Sequence, residues 1–230
     1  MAASPSYPIV LLATLAALAC GGSTQPPVQT TPSPVGGVST VGGVSKGAMA
    51  PDPYGARYPH TQADIDFMSG MISHHAQAIA MAKWAPTHGA SESILTLSGR
   101  IINAQQDEIR LMQQWLKDRN LPVPEASPNG MKMVMNGVEH EMLMPGMLTP
   151  EQMKQLDEAR GTDFDRLFLT FMIQHHQGAV GMVSTLFSTP GAGENEAVFK
   201  FASDVNVDQT TEIARMEKML FMLKLTHSSP

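Results

Sequence analysis

Residues 64–81 read DIDFMSGMISHHAQAIAM, and residues 165–182 read DRLFLTFMIQHHQGAVGM. Aligned without a gap, they agree at eight of eighteen positions. The agreeing pairs are Asp64 and Asp165, Phe67 and Phe168, Met71 and Met172, Ile72 and Ile173, His74 and His175, His75 and His176, Ala78 and Ala179, and Met81 and Met182. Self-similarity of this kind marks a duplicated supersecondary unit. The apolar positions recur three and four residues apart, so the unit is a helix. Each copy is followed by Gln-x2-Glu-Ile-x2-Met, at Gln105, Glu108, Ile109, Met112 and again at Gln209, Glu212, Ile213, Met216. The duplicated unit is therefore a pair of helices.

Punctuation around the copies sets the boundaries. Thr61 with Asp64 three residues on is a capping-box variant. It predicts a helix from there to about Trp84, ended by Pro86 and Gly89. A second helix is expected from about Ser91 to Asn120, closed by Pro122 and Pro124. Thr149, Pro150 and Gln152 form a cap, a first-turn proline and a completed box, opening a short helix that ends near Gly161. Thr162 is expected to cap the next helix, to about Phe187, and the last helix runs from about Asn195 to Leu225. Short connections make hairpin partners antiparallel neighbours. The fold class is all-α, a four-helix bundle built from two repeated helical hairpins, residues 60–120 and 149–230, the latter including the short helix.

Between the hairpins, residues 121–148 form a Met-rich connector. Met131, Met133 and Met135 alternate, as do His140, Met142 and Met144, and Asn136-Gly137 between them is a two-residue hairpin signal. In that register Met133 opposes His140 and Met131 opposes Met142. One face of the ribbon then carries thioethers and an imidazole.

Methionine is the compositional anomaly: 18 in 230 residues, as many as leucine. Met fills irregular core gaps, but it is also a soft metal ligand. Helical spacing puts Met71 beside both His74 and His75. Met68 extends the His75 side, and Met81 lies two turns beyond His74. The second copy repeats this with Met172, His175, His176 and Met182. Adjacent histidines diverge by about 100° on a helix, so one of each pair is expected inside and the other at a groove or in solvent. Imidazole and thioether together suit Cu(I) or silver better than magnesium or calcium. The metal-site candidates are His74, His75, Met71, Met81, His175, His176, Met172 and Met182. Candidate further ligands are Met68, Met131, Met133, His140, Met142 and Met144. Glu108 and Glu212 could support the histidines from behind. Asp64 and Asp165 join them as candidate supporting residues, although a first-turn acid favoured by the helix dipole is the simpler reading.

The amino terminus points to export. Ile9 to Ala19 is apolar but for Thr14, too short to span a bilayer and suited to the core of a signal peptide. Cys20, the only cysteine, follows it directly, as in a bacterial lipoprotein signal, although the preceding segment has no Lys or Arg. Residues 1–20 are expected to be a signal peptide, with Cys20 lipidated as a membrane anchor. Residues 21–59, rich in Gly, Ser, Thr and Pro, are expected to be a tether. With net charge −6, only 15 Lys plus Arg and no basic run, nucleic-acid binding is excluded. No hydrolase motif is present, so the expectation is a binding protein rather than an enzyme.

These two His-His helices resemble the bacterial family known as domain of unknown function 305. So does the run Met144-Pro145-Gly146-Met147-Leu148-Thr149 leading into Phe164-Asp165-Arg166-Leu167-Phe168-Leu169. The resemblance covers about residues 60–225. It implies a small exported protein with a ferritin-like helical bundle, and for some members copper binding and tolerance. On that basis Cu(I) is the expected ligand, buffered or handed to a copper-handling protein partner. Two other readings stand beside it: a metal-free, envelope-tethered interaction module, and a ferritin-like di-metal oxidase. The oxidase is weakened by the lack of the Glu-x-x-His motif that di-iron bundles use.

Overall fold

A computed structural model describes residues 59–135 and 138–227. The expected signal peptide, the expected lipidation site Cys20 and the expected tether to residue 58 lie outside the described residues. Five α-helices, a one-turn 3-10 helix (Ala85–Thr87) and one hairpin are formed by the described residues: α1 (Gln62–Trp84), α2 (Glu92–Asp118), β1 (Met131–Met135), β2 (Val138–Met142), α3 (Pro150–Glu158), α4 (Gly161–Ser188) and α5 (Glu196–His227). Among the described residues no helix is long and apolar enough to cross a membrane.

Local chemistry explains most boundaries. Thr61 Oγ1 accepts from Asp64 N at 3.2 Å, and Thr61 N donates to the Asp64 carboxylate at 2.7 Å, so α1 opens on a reciprocal capping box. Thr149 and Gln152 do the same for α3, with Pro150 at its first position. Helix α2 ends at Asp118, and Asn120 just beyond it takes a left-handed φ of 54° before Pro122 is reached. Helix α4 departs from expectation: it starts at Gly161, and Arg160 before it makes no side-chain cap. Gly161 instead adopts φ 56° and gives its N–H to the His88 carbonyl at 2.8 Å. A long-range bond to the α1–α2 turn thus sets this corner.

Helix α1 packs along α2, α4 along α5, and the hairpins meet through α1 and α4. Phe67, Met68, Met71 and Ile72 share an apolar cluster with Ala179, Val183 and Leu186. Ala78, Met81 and Ala82 share another with Phe164, Phe168 and Met172. The start of α1 therefore lies against the end of α4 and the reverse, so the two central helices are antiparallel. The four histidines fall between the two clusters.

The connector forms the expected antiparallel ribbon, with Met131 opposite Met142 and Met133 opposite His140. Gln77 fastens its entry to α1 by donating to the Pro128 carbonyl at 3.0 Å.

Candidate metal centre

His74 and His75 come from α1, His175 and His176 from α4, and all four are fully buried. The expectation that one of each pair would face a groove or solvent is corrected. A helix of the same hairpin covers one side of each pair, and the other hairpin covers the next. The 100° divergence is used differently. His74 and His175 turn toward each other, their ring centroids 3.8 Å apart and planes 40° tilted. His75 and His176 turn toward their own hairpin partners. His75 Nε2 lies 2.7 Å from Glu108 Oε2 on α2, and His176 Nε2 lies 2.7 Å from Glu212 Oε2 on α5. The second contact is the better aligned. The repeated Gln-x2-Glu-Ile-x2-Met motif thus delivers one carboxylate to each outer histidine.

These partners fix the ring chemistry. A carbonyl oxygen only accepts, so His74 Nε2, 3.0 Å from the Pro145 carbonyl, carries the proton and leaves Nδ1 a lone pair. The Glu212 carboxylate hydrogen-bonded to Nε2 does the same for His176, whereas His75 Nε2 faces the Glu108 carboxylate without an aligned hydrogen bond. Nδ1 of all four rings, and Nε2 of His75 and His175, have no hydrogen-bond partner. Leaving such an atom buried and unpaired costs about 1–3 kcal/mol, so a cluster of them points to a ligand. Burial, then the neighbouring His75, lowers the pKa of His74 from 6.5 to about 3, against a smaller upward pull from the Pro145 carbonyl. Burial, then His74, His176 and His75, holds His175 well below the usual value. Both inner imidazoles are neutral near pH 7, the form that ligates metal.

Thioethers lie on both sides of this layer. Met68 and Met71, fully buried, and Met182, half-buried, belong to one apolar cluster; Met81 and Met172, fully buried, belong to the other. Two further buried sulfurs, Met112 and Met216, accompany them. Among the described residues no three His, Cys, Asp or Glu side chains form a ready-made coordination group. The donors available are imidazole nitrogen and thioether sulfur, the soft set that fits Cu(I).

Asp64 and Asp165 do not support this centre. Asp64 Oδ1 accepts from Gly193 N at 2.7 Å, and Asp165 accepts from Ser91 N at 3.2 Å. Each ties its helix start to the interhelix turn of the other hairpin. Met142 (43% exposed) and His140 sit on the exposed ribbon and Met131 is half-buried there; the Met133 side chain lies outside the described part.

The sequence reading singled out the run Met144–Leu148 but missed its role as a strap across the histidine layer. Gln77 grips Leu148 twice, accepting from its N–H at 2.6 Å and donating to its carbonyl at 3.1 Å. Gln174 donates to the Gly146 carbonyl at 3.3 Å. A Cβ on Gly178 would stand 2.0 Å from the Pro145 oxygen. The signal was in the disagreements between the repeats. Gln77 aligns with Gly178, Ser73 with Gln174, and Gly70 with Phe171. The strap breaks the symmetry at these positions. Asp208 was also missed; burial, then Glu108, Glu212 and Asp204, raises its pKa, marking an acidic rim behind the outer histidines.

Two antiparallel helical hairpins enclosing a buried layer of histidines and methionines define a helical-bundle protein. The chain belongs to the DUF305 family, a domain of unknown function, whose profile it matches over residues 64–220. Its structure is similar to a DUF305 protein of Streptomyces coelicolor described as secreted (27% identity, TM-score 0.59, 70% of this chain and 94% of that one). It is also similar to CopM in its Cu(II)-bound form (31% identity, TM-score 0.53, 68% and 95% covered) and its Cu(I)-bound form (29%, 0.52, 68% and 94%). A curated relative, uncharacterized protein L153 of Acanthamoeba polyphaga mimivirus, is 42% identical over 64 residues, 26% of this chain. The chain spans 42% of that relative's length.

Proposed function

We propose that this protein binds Cu(I) outside the cytoplasm, to buffer it or hand it to a copper-handling partner, and that it is not an enzyme. The ligands are drawn from His74, His75, His175 and His176 with Met71, Met81, Met172 and Met182. The observation that carries the reading is the set of buried, neutral, unpartnered imidazole nitrogens flanked by thioethers. CopM, a relative solved with Cu(I), Cu(II) and silver bound, supports it. Export, with a lipid anchor at Cys20, rests on the apolar run Ile9–Ala19 and on the relative described as secreted. Glu212, hydrogen-bonded to His176, and Glu108, beside His75, orient these two histidines, and the lack of the Glu-x-x-His motif weighs against a di-metal oxidase. The test is titration of residues 60–230 with Cu(I) and Zn(II) against competing chelators under reducing conditions. Tight Cu(I)-selective binding, lost when His74 and His175 are replaced by leucine, is expected. Equal weak binding of both metals would favour a metal-free interaction module instead.

A further inference from the structure

The histidine layer is sealed. The four rings, Met71 and Met172 have no exposure, so an ion bound there must cross the protein surface. The thioethers nearest solvent on one such path lead to the strap. Met142 at the end of β2 is 43% exposed. Two residues on, half-buried Met144 rests its sulfur over Gly70, 2.8 Å from where a Cβ would stand. The Met182 ε-methyl lies 3.6 Å from the same point. Gly70 is therefore a bare spot on α1 where a strap methionine and an α4 methionine converge, and the next residue is buried Met71. Met147 Sδ, accepting from Met144 N at 3.2 Å, holds the start of the strap. A cavity of about 270 Å³, lined in part by Phe67, Pro145 and Met182, opens alongside. The second hairpin has Phe171 where the first has Gly70, so it offers no equivalent spot.

We propose that Met144 and Met182, converging over Gly70, form an entry site for a soft monovalent cation, Cu(I) or Ag(I), between the exposed ribbon and the buried histidines. This deepens the copper reading, on which it rests for the ion's destination. Thioethers bind soft ions without competition from protons, and a pair of them is a poorer ligand set than sulfur plus imidazole, so the ion moves inward. Each step is ligand exchange: one metal–sulfur bond breaks as the next metal–ligand bond forms, with no change of oxidation state.

The test uses residues 60–230 with 13C-methyl-labelled methionine and Ag(I). Ag(I) added beyond the first equivalent, with the histidine layer already filled, should shift the Met144 and Met182 methyl resonances. Met144→Leu and Gly70→Ala should load about tenfold more slowly in stopped-flow transfer from a chelator, about 1.4 kcal/mol in the barrier, with final affinity unchanged. Gly70→Ala should fold, because its new Cβ meets the end of a flexible side chain. Silent methyls, or unchanged loading rates in both variants, would overturn the proposal. Affinity falling in step with rate would also overturn it, by making Met144 a resident ligand. Shifted Met144 and Met182 methyls with unshifted His74 and His175 rings would refute the buried copper centre while supporting the surface site.

Discussion

Replacing Gly178 by alanine puts the strap to the test. The new Cβ would stand 2.0 Å from the Pro145 oxygen, 2.5 Å from its carbonyl carbon and 2.6 Å from Gly146 Cα. All three are backbone atoms, so no side chain can swing aside. An ordinary carbon–oxygen contact is about 3.3 Å, so the strap must rise by about 1.3 Å. That breaks the 3.0 Å His74–Pro145 bond and the 3.3 Å Gln174–Gly146 bond. Overpacking costs about 1–3 kcal/mol, and two lost hydrogen bonds about 1 kcal/mol each. The better helix propensity of alanine returns about 1 kcal/mol. The net loss is about 2–4 kcal/mol, read as a lower urea midpoint in equilibrium unfolding. Gly181→Ala, three residues along α4, is the control: its Cβ meets nothing within 4 Å, so the same exchange should stabilise by up to about 1 kcal/mol. Equal effects of the two substitutions would refute the account of the strap.

The metal-free protein should be acid-labile. His74 has a pKa of about 3 when folded against 6.5 when free, so the unfolded chain binds more protons as the pH falls. Stability is full above about pH 6.5 and declines toward pH 3, by about 2–3 kcal/mol at pH 4.5 from His74 alone; His175 adds in the same direction. Identical urea midpoints at pH 7 and pH 4.5 would contradict this. Glu108→Gln with Glu212→Gln should leave the fold intact and weaken Cu(I) binding by about tenfold to a hundredfold, measured by chelator competition; unchanged affinity would remove the carboxylates from the account. Met71→Leu with Met172→Leu, a swap that nearly conserves volume and costs under about 1.5 kcal/mol each, should weaken Cu(I) while sparing the thermal midpoint. A parallel loss of stability would assign these methionines to packing alone.

What was legible in the sequence was local or duplicated. The Thr61 and Thr149 boxes, the register of the Met131–Met142 ribbon, whose expected Asn136-Gly137 turn lies outside the described residues, and the repeated His-His helices each rest on residues a few positions apart. The outer carboxylates were legible too, because Glu108 and Glu212 recur in register with their histidines. Long-range closure was not. The Pro145 carbonyl reaches His74 across 71 positions, and the Asp64 carboxylate reaches Gly193 across 129. Nothing in either neighbourhood announces the partner. Burial of both histidines in each pair was missed for a related reason: helical periodicity gives an angle between side chains, but the neighbours covering each direction come from tertiary packing.

X-ray absorption at the copper edge on residues 60–230 loaded with one equivalent of Cu(I) tests the central claim most directly. A first shell containing both imidazole nitrogen and thioether sulfur, with the sulfur signal reduced in the Met71→Leu, Met172→Leu variant, is the result expected. A shell of light atoms alone, unchanged by that substitution, would contradict the His/Met centre.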